Sequence, residues 1–363
     1  MPPSTAAPAA EPSTIAVTTT GPRTGGTTCS AEARPGGPDD FEVLEPQQWR
    51  ARQAAHLQRV SSWTEPFRER RSRQAKHPVD DFLFTYYSHS PGRLERWHPG
   101  PGVVLLDAEQ LAGQRHWRAV VGEEARALGL TDHDGAATVD LPEFLAARGR
   151  AVEFVDMLVR RTASRPGQFG CFGMHEWAMA YNARLHGVRH EQLPLRLGAA
   201  GTDAVVEAER LRCTHIDAFR FFAPEAAPLN ELQPTRETQR DLEQPGCLHA
   251  TMDLYKWAYK LAPAVASELI ADCFELALEV RATDMEASPY DLSEWGYGVV
   301  AVETAEGKAE YVRRQRSFAQ RAAPLRERLL ETTSWLLAAR EQLPGMAAQA
   351  GGSNPADASG GTA

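Results

Sequence analysis

The first 40 residues limit what this chain can fold into. They hold 30 Pro, Gly, Ser, Thr or Ala residues and no aromatic one, so they cannot bury enough apolar surface to offset the entropy of ordering. A disordered tail is the expectation. Residues 343–363 (LPGMAAQAGGSNPADASGGTA) have the same character, which leaves a folding body at 41–342, long enough for a single large globular domain. No window carries the ~18 to 20 apolar residues of a membrane span, and the N-terminus lacks the basic-then-apolar order of a secretory signal. The expectation is a soluble, cytoplasmic protein without a membrane partner.

Net charge is −9, and an acidic balance argues against unselective nucleic-acid binding. The exception is the stretch from Trp49 to Lys76, with eight Arg or Lys against Glu65 and Glu69. It reads either as the solvated face of a helix or as a local basic groove. Cys29, Cys171, Cys213, Cys247 and Cys273 form no CxxC pair, so reduced thiols are expected.

Apolar spacing gives the elements of a helix-dominated α+β fold with a few short strands. Trp49, Leu57, Val60, Trp63 and Phe67 share a helical face, with a break expected at Pro66. Val103 to Leu106 reads as a strand, and Leu141 to Ser164 as a helix opened by Pro142. His175 and Glu176 fall in the first turns of a helix that follows Gly170 and Gly173. Leu195 to Leu197 and Ala204 to Thr214 read as extended. Cys247 to Leu261 and Ala266 to Met285 read as helices, Gly298 to Glu303 as a strand, and Lys308 to Arg340 as a helix interrupted at Pro324. No internal repeat is present.

Three segments place a thiol beside an imidazole: Cys171 with His175, Cys213 with His215, and Cys247 with His249. Each adds a carboxylate, namely Glu176, Asp217 and Asp253. Converging on one pocket, they could supply the nitrogen, sulfur and oxygen ligands of zinc. Equally, they read as buried small thiols beside hydrogen-bonded histidines. After Pro245-Gly246, the residues His249, Asp253, Lys256 and Lys260 line one polar strip of a helix, while Leu248, Met252, Tyr255 and Tyr259 line an apolar one. The polar strip reads as a tuned acid/base set if it faces a cleft, or as an exposed strip with an Asp-to-Lys pair. In RLRCTHIDAFRFF, Arg210, Arg212 and Arg220 could clamp phosphate or carboxylate, or pair with neighbouring glutamates while the phenylalanines anchor the core. No GxGxxG, Walker A loop or GxSxG elbow occurs.

The strings HPVDDFLFTYYSHSPGRLERWHPGPGVVL, RPGQFGCFGMHEWAMAY, RCTHIDAFRFF, LNELQPTRETQRDLEQPGCLHATMDLYKWAYKL and ASPYDLSEWGYGVVAVETAEGKAEY, spanning His77 to Tyr311, resemble a bacterial family labelled 3-methyladenine DNA glycosylase. The resemblance implies a hydrolase of DNA repair that releases an alkylated adenine flipped out of damaged DNA. Such chemistry takes Asp253 or Asp217 as the carboxylate that stabilises the sugar cation. Tyr86, Trp177, Tyr181 and Trp257 would be the stacking surfaces for a cationic base, and the arginines between Arg50 and Arg73 the phosphate contacts. The sequence departs from helix-hairpin-helix glycosylases, since its only near match to their hairpin, Leu343-Pro344-Gly345-Met346-Ala347, lies in the C-terminal tail.

Two other functions suit the same residues. One is an enzyme for a small polar or phosphorylated substrate, with or without a metal, in which His215 or His249 handles protons, His175 and Glu176 assist, and Arg210, Arg212, Arg220 and Lys256 hold the anion. The other is a noncatalytic binding scaffold. Convergence of His175, His215 and His249 in one cleft favours an enzyme, and dispersion favours the scaffold.

Overall fold

The computed structural model describes residues 41–131 and 133–343. The tails expected at 1–40 and 343–363 lie outside these residues apart from Leu343, which packs against the core. The fold is helix-dominated α+β, with a single small sheet among the described residues. No described helix is long and apolar enough to cross a membrane.

The core forms around the helix Leu248–Lys260. Its apolar strip of Leu248, Met252, Tyr255 and Tyr259 is buried and packs on the helix Ser267–Glu286. The long helix Ala305–Gln342 lies against both and against Leu141–Ala163. That last helix begins as its sequence indicates, with the Asp140 side chain accepting from the Glu143 amide at 2.9 Å and Pro142 in the first turn.

The sheet runs β1 (Glu42–Leu44), β2 (Val103–Leu105), β4 (Ala137–Val139), β3 (Trp117–Ala119) in spatial order. The first pair is parallel and the others antiparallel, with Val104 opposite both Val43 and Thr138. Alternation sends Val103 and Leu105 into a cluster with Trp49, Trp97 and Trp117, and Val104 into a second cluster with Val120 and Ala125. Both faces are therefore covered.

Four expectations are corrected. Pro66 and Pro324 do not break their helices, Pro46–Ser72 and Ala305–Gln342. Each interior proline costs about 3 kcal/mol, and burial of Thr64, Phe67, Ala322 and Leu329 around them offsets it. On the first helix Leu57 is exposed and His56 is buried in its place, its Nε2 2.8 Å from the Leu94 carbonyl. Ala204 to Thr214 is not a strand: Gly198–Ala208 is helical, and 209–215 is irregular. Thr202 and Val206 are buried there at i,i+4 spacing, so the helical period outweighed the apparent alternation. Gly298 to Glu303 is irregular, although Val300 and Val302 are buried as strand residues would be.

Candidate functional site

The three thiol–imidazole segments meet. A cavity of about 180 Å³ is lined by Cys171, His175, Cys213, Cys247 and His249, with Tyr311 and Phe222 on its inner wall. Its exposed rim carries Arg210, Arg212 and Gln168. No Asp or Glu is among the lining residues.

Polar side chains that the sequence did not single out hold these segments together. Gln244, 3% exposed, accepts at its Oε1 from the amides of Gln168 (2.7 Å) and Gly246 (2.8 Å). Backbone crowding makes Gly246 necessary, because a Cβ there would lie 2.5 Å from the Gln168 carbonyl oxygen. From the long C-terminal helix, Gln315 donates to the Gly246 carbonyl at 2.6 Å and reaches the Cys171 sulfur at 3.2 Å. The Cys213 segment is fixed by Asn230, which accepts from the Cys213 amide at 2.7 Å and donates to the Cys213 carbonyl at 3.0 Å. A buried Gln or Asn can satisfy strand-like backbone in this way, but which distant backbone it serves is not written in local sequence.

His175 and Glu176 are positioned by the helix Met174–Met179, all of whose first five residues are buried. His175 Nε2 lies 2.9 Å from Asp284 Oδ1. Neither atom makes a well-aligned hydrogen bond. Burial draws the His175 pKa down, but Asp284 outweighs it and raises the value overall. Burial and the His175 charge both push the His249 pKa well below its ordinary value. The two rings, 4.5 Å apart edge to face, thus favour opposite protonation states. Glu176 faces away from the cavity, accepting from Arg281 at 2.8 Å. Burial raises all three cavity thiols, Cys213 to about 12.

Behind His249 lies a second buried network, joined to it by His215, whose ring is 5.4 Å away. His215 Nε2 is 3.2 Å from Glu243 and 3.4 Å from Asp253. Burial would lower its pKa, yet Glu243 and Asp253 raise it to about 9. Lys256 donates to Asp253 and Asp217 at 2.9 Å each, and Tyr87 donates to Asp253 at 2.9 Å. Against the cost of burial, Lys256 holds Asp217 down to about 2 and, with His215, holds Asp253 lower still. The reading of this helix face as an exposed strip is corrected at Asp253, which is 2% exposed, and at Lys256, whereas Lys260 is exposed.

Two sets of side chains bring three ligand atoms within 4.8 Å of one another: His175, His249 and Asp284, and His215, Glu243 and Asp253. In each, one carboxylate already has a cation outside the set. Arg281 Nη1 is 3.0 Å from Asp284, and Lys256 neutralises Asp253. Asp284, Arg281 and Glu243 were not identified from sequence. Spacing at i,i+3 links Asp284 to Arg281 on one helix, and was the available signal.

The remaining candidates are dispersed. Trp177 is fully buried and donates to the Ala287 carbonyl at 2.9 Å. The Tyr181 hydroxyl bonds to Glu207, and Trp257 sits beneath Lys256 and Lys260. Tyr86 lines a separate cleft with Phe82 and Arg189. Arg210 and Arg212 share Glu231, and Arg220 pairs with Asp217. In the basic stretch, Arg50, Arg52, Arg59, Arg68 and Arg70 pair with carboxylates of other elements. Comparison with family models, curated proteins and solved structures finds no match.

Proposed function

We propose that this chain is an enzyme acting on a small, anionic, polar substrate admitted to the cavity through its arginine rim. The observation that carries the reading is the meeting of Cys171, His175, Cys213, Cys247 and His249 on one cavity wall, with His215 buried behind His249. Three segments spread along the chain place their polar side chains at the same small space, where a packed scaffold would use apolar ones. His175, oriented by Asp284 at 2.9 Å, is the proton-moving group, since a buried carboxylate fixes the ring and stabilises its charged form. Arg210 and Arg212 hold the anion, exchanging the shared Glu231 for it. His215 connects the site to the Asp253–Lys256–Asp217 network, which stabilises the wall behind it.

Base excision, implied by the family resemblance, needs a carboxylate and aromatic faces at one surface. Here Asp253 is buried among Lys256, Tyr87 and His215, Trp177 is fully buried, Tyr181 is held by Glu207, and of the four aromatic candidates Tyr86 and Trp257 alone border the Asp217 network, through Arg220 and Lys256. That arrangement supports the small-substrate reading over it. The test is product detection by mass spectrometry after incubating the native chain with a panel of small carboxylates and phosphate esters, and separately with methylated duplex DNA. The expected result is turnover of a panel compound, with KM raised and kcat little changed in the Arg210→Ala/Arg212→Ala variant. Release of 3-methyladenine from DNA, lost in Asp253→Asn, would overturn the proposal.

A further inference from the structure

The cavity holds more sulfur than an acid–base site needs. Cys171, Cys213 and Cys247 all line it, while Cys273 lies in the core between helices. Among the described residues, no set of three ligand atoms within 4.8 Å includes a thiol. A single tetrahedral ion with Zn–S bonds of about 2.3 Å needs donors about 3.8 Å apart. The three sulfurs therefore include at least one pair more than 4.8 Å apart, wider than one such ion allows, and all three cysteines line the cavity of about 180 Å³.

Its chemistry is equally selective. With no carboxylate on the wall, a hard cation such as magnesium or calcium finds no anionic oxygen ligand there. Soft thiolates select zinc, copper(I) or iron–sulfur centres. Burial holds the free thiols protonated, and two further groups are placed to stabilise the sulfur charge that ligation creates. Gln315 directs an N–H at the Cys171 sulfur from 3.2 Å. The Tyr311 hydroxyl, fully buried on the same wall, interacts with the Cys171 thiol and has no nitrogen or oxygen partner among the described residues. Donors of this kind around the sulfurs are a regular feature of iron–sulfur sites. Arg210 and Arg212 at the rim complement an anionic centre.

We infer that Cys171, Cys213 and Cys247 ligate a four-iron, four-sulfide cluster in this cavity, leaving the fourth iron to an oxygen donor of the anionic substrate. On ligation each thiol gives up its proton to solvent and forms one Fe–S bond. Ferric and ferrous iron in equal amounts and inorganic sulfide are supplied from outside, so the core assembles without change of oxidation state at iron, and the cysteine sulfurs do not change oxidation state either. The inference deepens the small-substrate reading, because it assigns a cofactor to the same cavity.

The full chain, purified without oxygen or rebuilt with equal amounts of ferric and ferrous iron and with sulfide, should contain about four iron and four sulfide per chain. It should also show the broad visible absorption of sulfide-to-iron charge transfer. Cys213→Ala and Cys171→Ala should lose at least half of both, while Cys273→Ala and Asp284→Asn keep them, with folding checked by circular dichroism. A measurement on the native chain covers variants that fail to fold: iodoacetamide should label Cys171 and Cys213 after iron is chelated and spare them in the loaded protein. Absence of iron and sulfide after rebuilding, zinc as the sole thiol-bound metal, or equal labelling in both states would overturn the inference. Iron and sulfide content is read without any turnover. A loaded chain that consumes no small substrate would sink the functional reading alone, and turnover by a chain that never loads would sink this one alone.

Discussion

Replacing Lys256 with Met puts the charge network behind the cavity to a quantitative test. Lys256 Nζ stands 2.9 Å from both Asp217 and Asp253, with side-chain exposures of 13%, 5% and 3% respectively. Removing one partner of a buried ion pair costs about 3 to 5 kcal/mol, because the other charge stays buried and uncompensated. Asp217 retains Arg236 at 2.5 Å and Arg220 at 3.3 Å, so the loss falls on Asp253, which keeps only Tyr87 and His215. That places the cost near the lower end, about 3 kcal/mol, with up to ~1 kcal/mol more from the lost contact over Trp257. At a slope of about 3 kcal/mol per molar urea, the midpoint should fall by about 1 M.

The same network fixes the pH dependence. Both aspartates have folded values below the ordinary carboxylate value of about 3.9. Their contribution is therefore complete above about pH 5 and is lost as the pH falls toward 2. The difference between native and Lys256→Met should be level from about pH 5 to 8 and shrink below pH 4. The double variant Asp253→Asn/Lys256→Met, which removes both charges, should cost less than the sum of the single variants by about 0.5 to 3 kcal/mol. Urea unfolding followed by circular dichroism measures all three. A cost below about 1 kcal/mol for Lys256→Met, or strict additivity in the double variant, would refute the reasoning.

Two further predictions concern how the cavity is assembled. Gly246→Ala should destabilise the chain by about 1 to 3 kcal/mol, since its Cβ would meet the Gln168 carbonyl at 2.5 Å; displacement of the 168–171 loop should speed alkylation of Cys171 in the metal-free chain. Asn230→Ala strands the Cys213 backbone and should cost about 1 to 3 kcal/mol, read by urea unfolding, with Cys213 alkylated faster and Cys247 unchanged.

Much of the helical frame is legible in the sequence because it depends on local period and caps. The helices at 141–163, 248–260 and 267–286 follow from apolar spacing, Pro142 and the turn at Pro245-Gly246. The thiol–imidazole segments are visible as three separate local patterns, and the fold brings them together. Their partners are not legible. Gln244, Gln315, Asn230 and Tyr311 look like ordinary polar residues until distant backbone and sulfur are placed beside them. Asp284 lies on a helix that reads as wholly structural, and it is buried against His175 only because the fold brings side chains of two distant helices together there. Prolines misled for a related reason: Pro66 and Pro324 obey local rules that tertiary burial overrides. Glu207 and Glu209 behaved differently again, since an apparent alternation with Val205 and Leu211 imitates a strand where a helix ends.

The most direct test of the central claim is the effect of His175→Gln on kcat for the small anionic compound that the native chain consumes, with binding followed separately by calorimetry. If His175, held by Asp284, moves the proton in this cavity, kcat should fall about 10²- to 10⁴-fold with binding retained within a few-fold. A variant that binds and turns over the compound at the native rate would contradict the account.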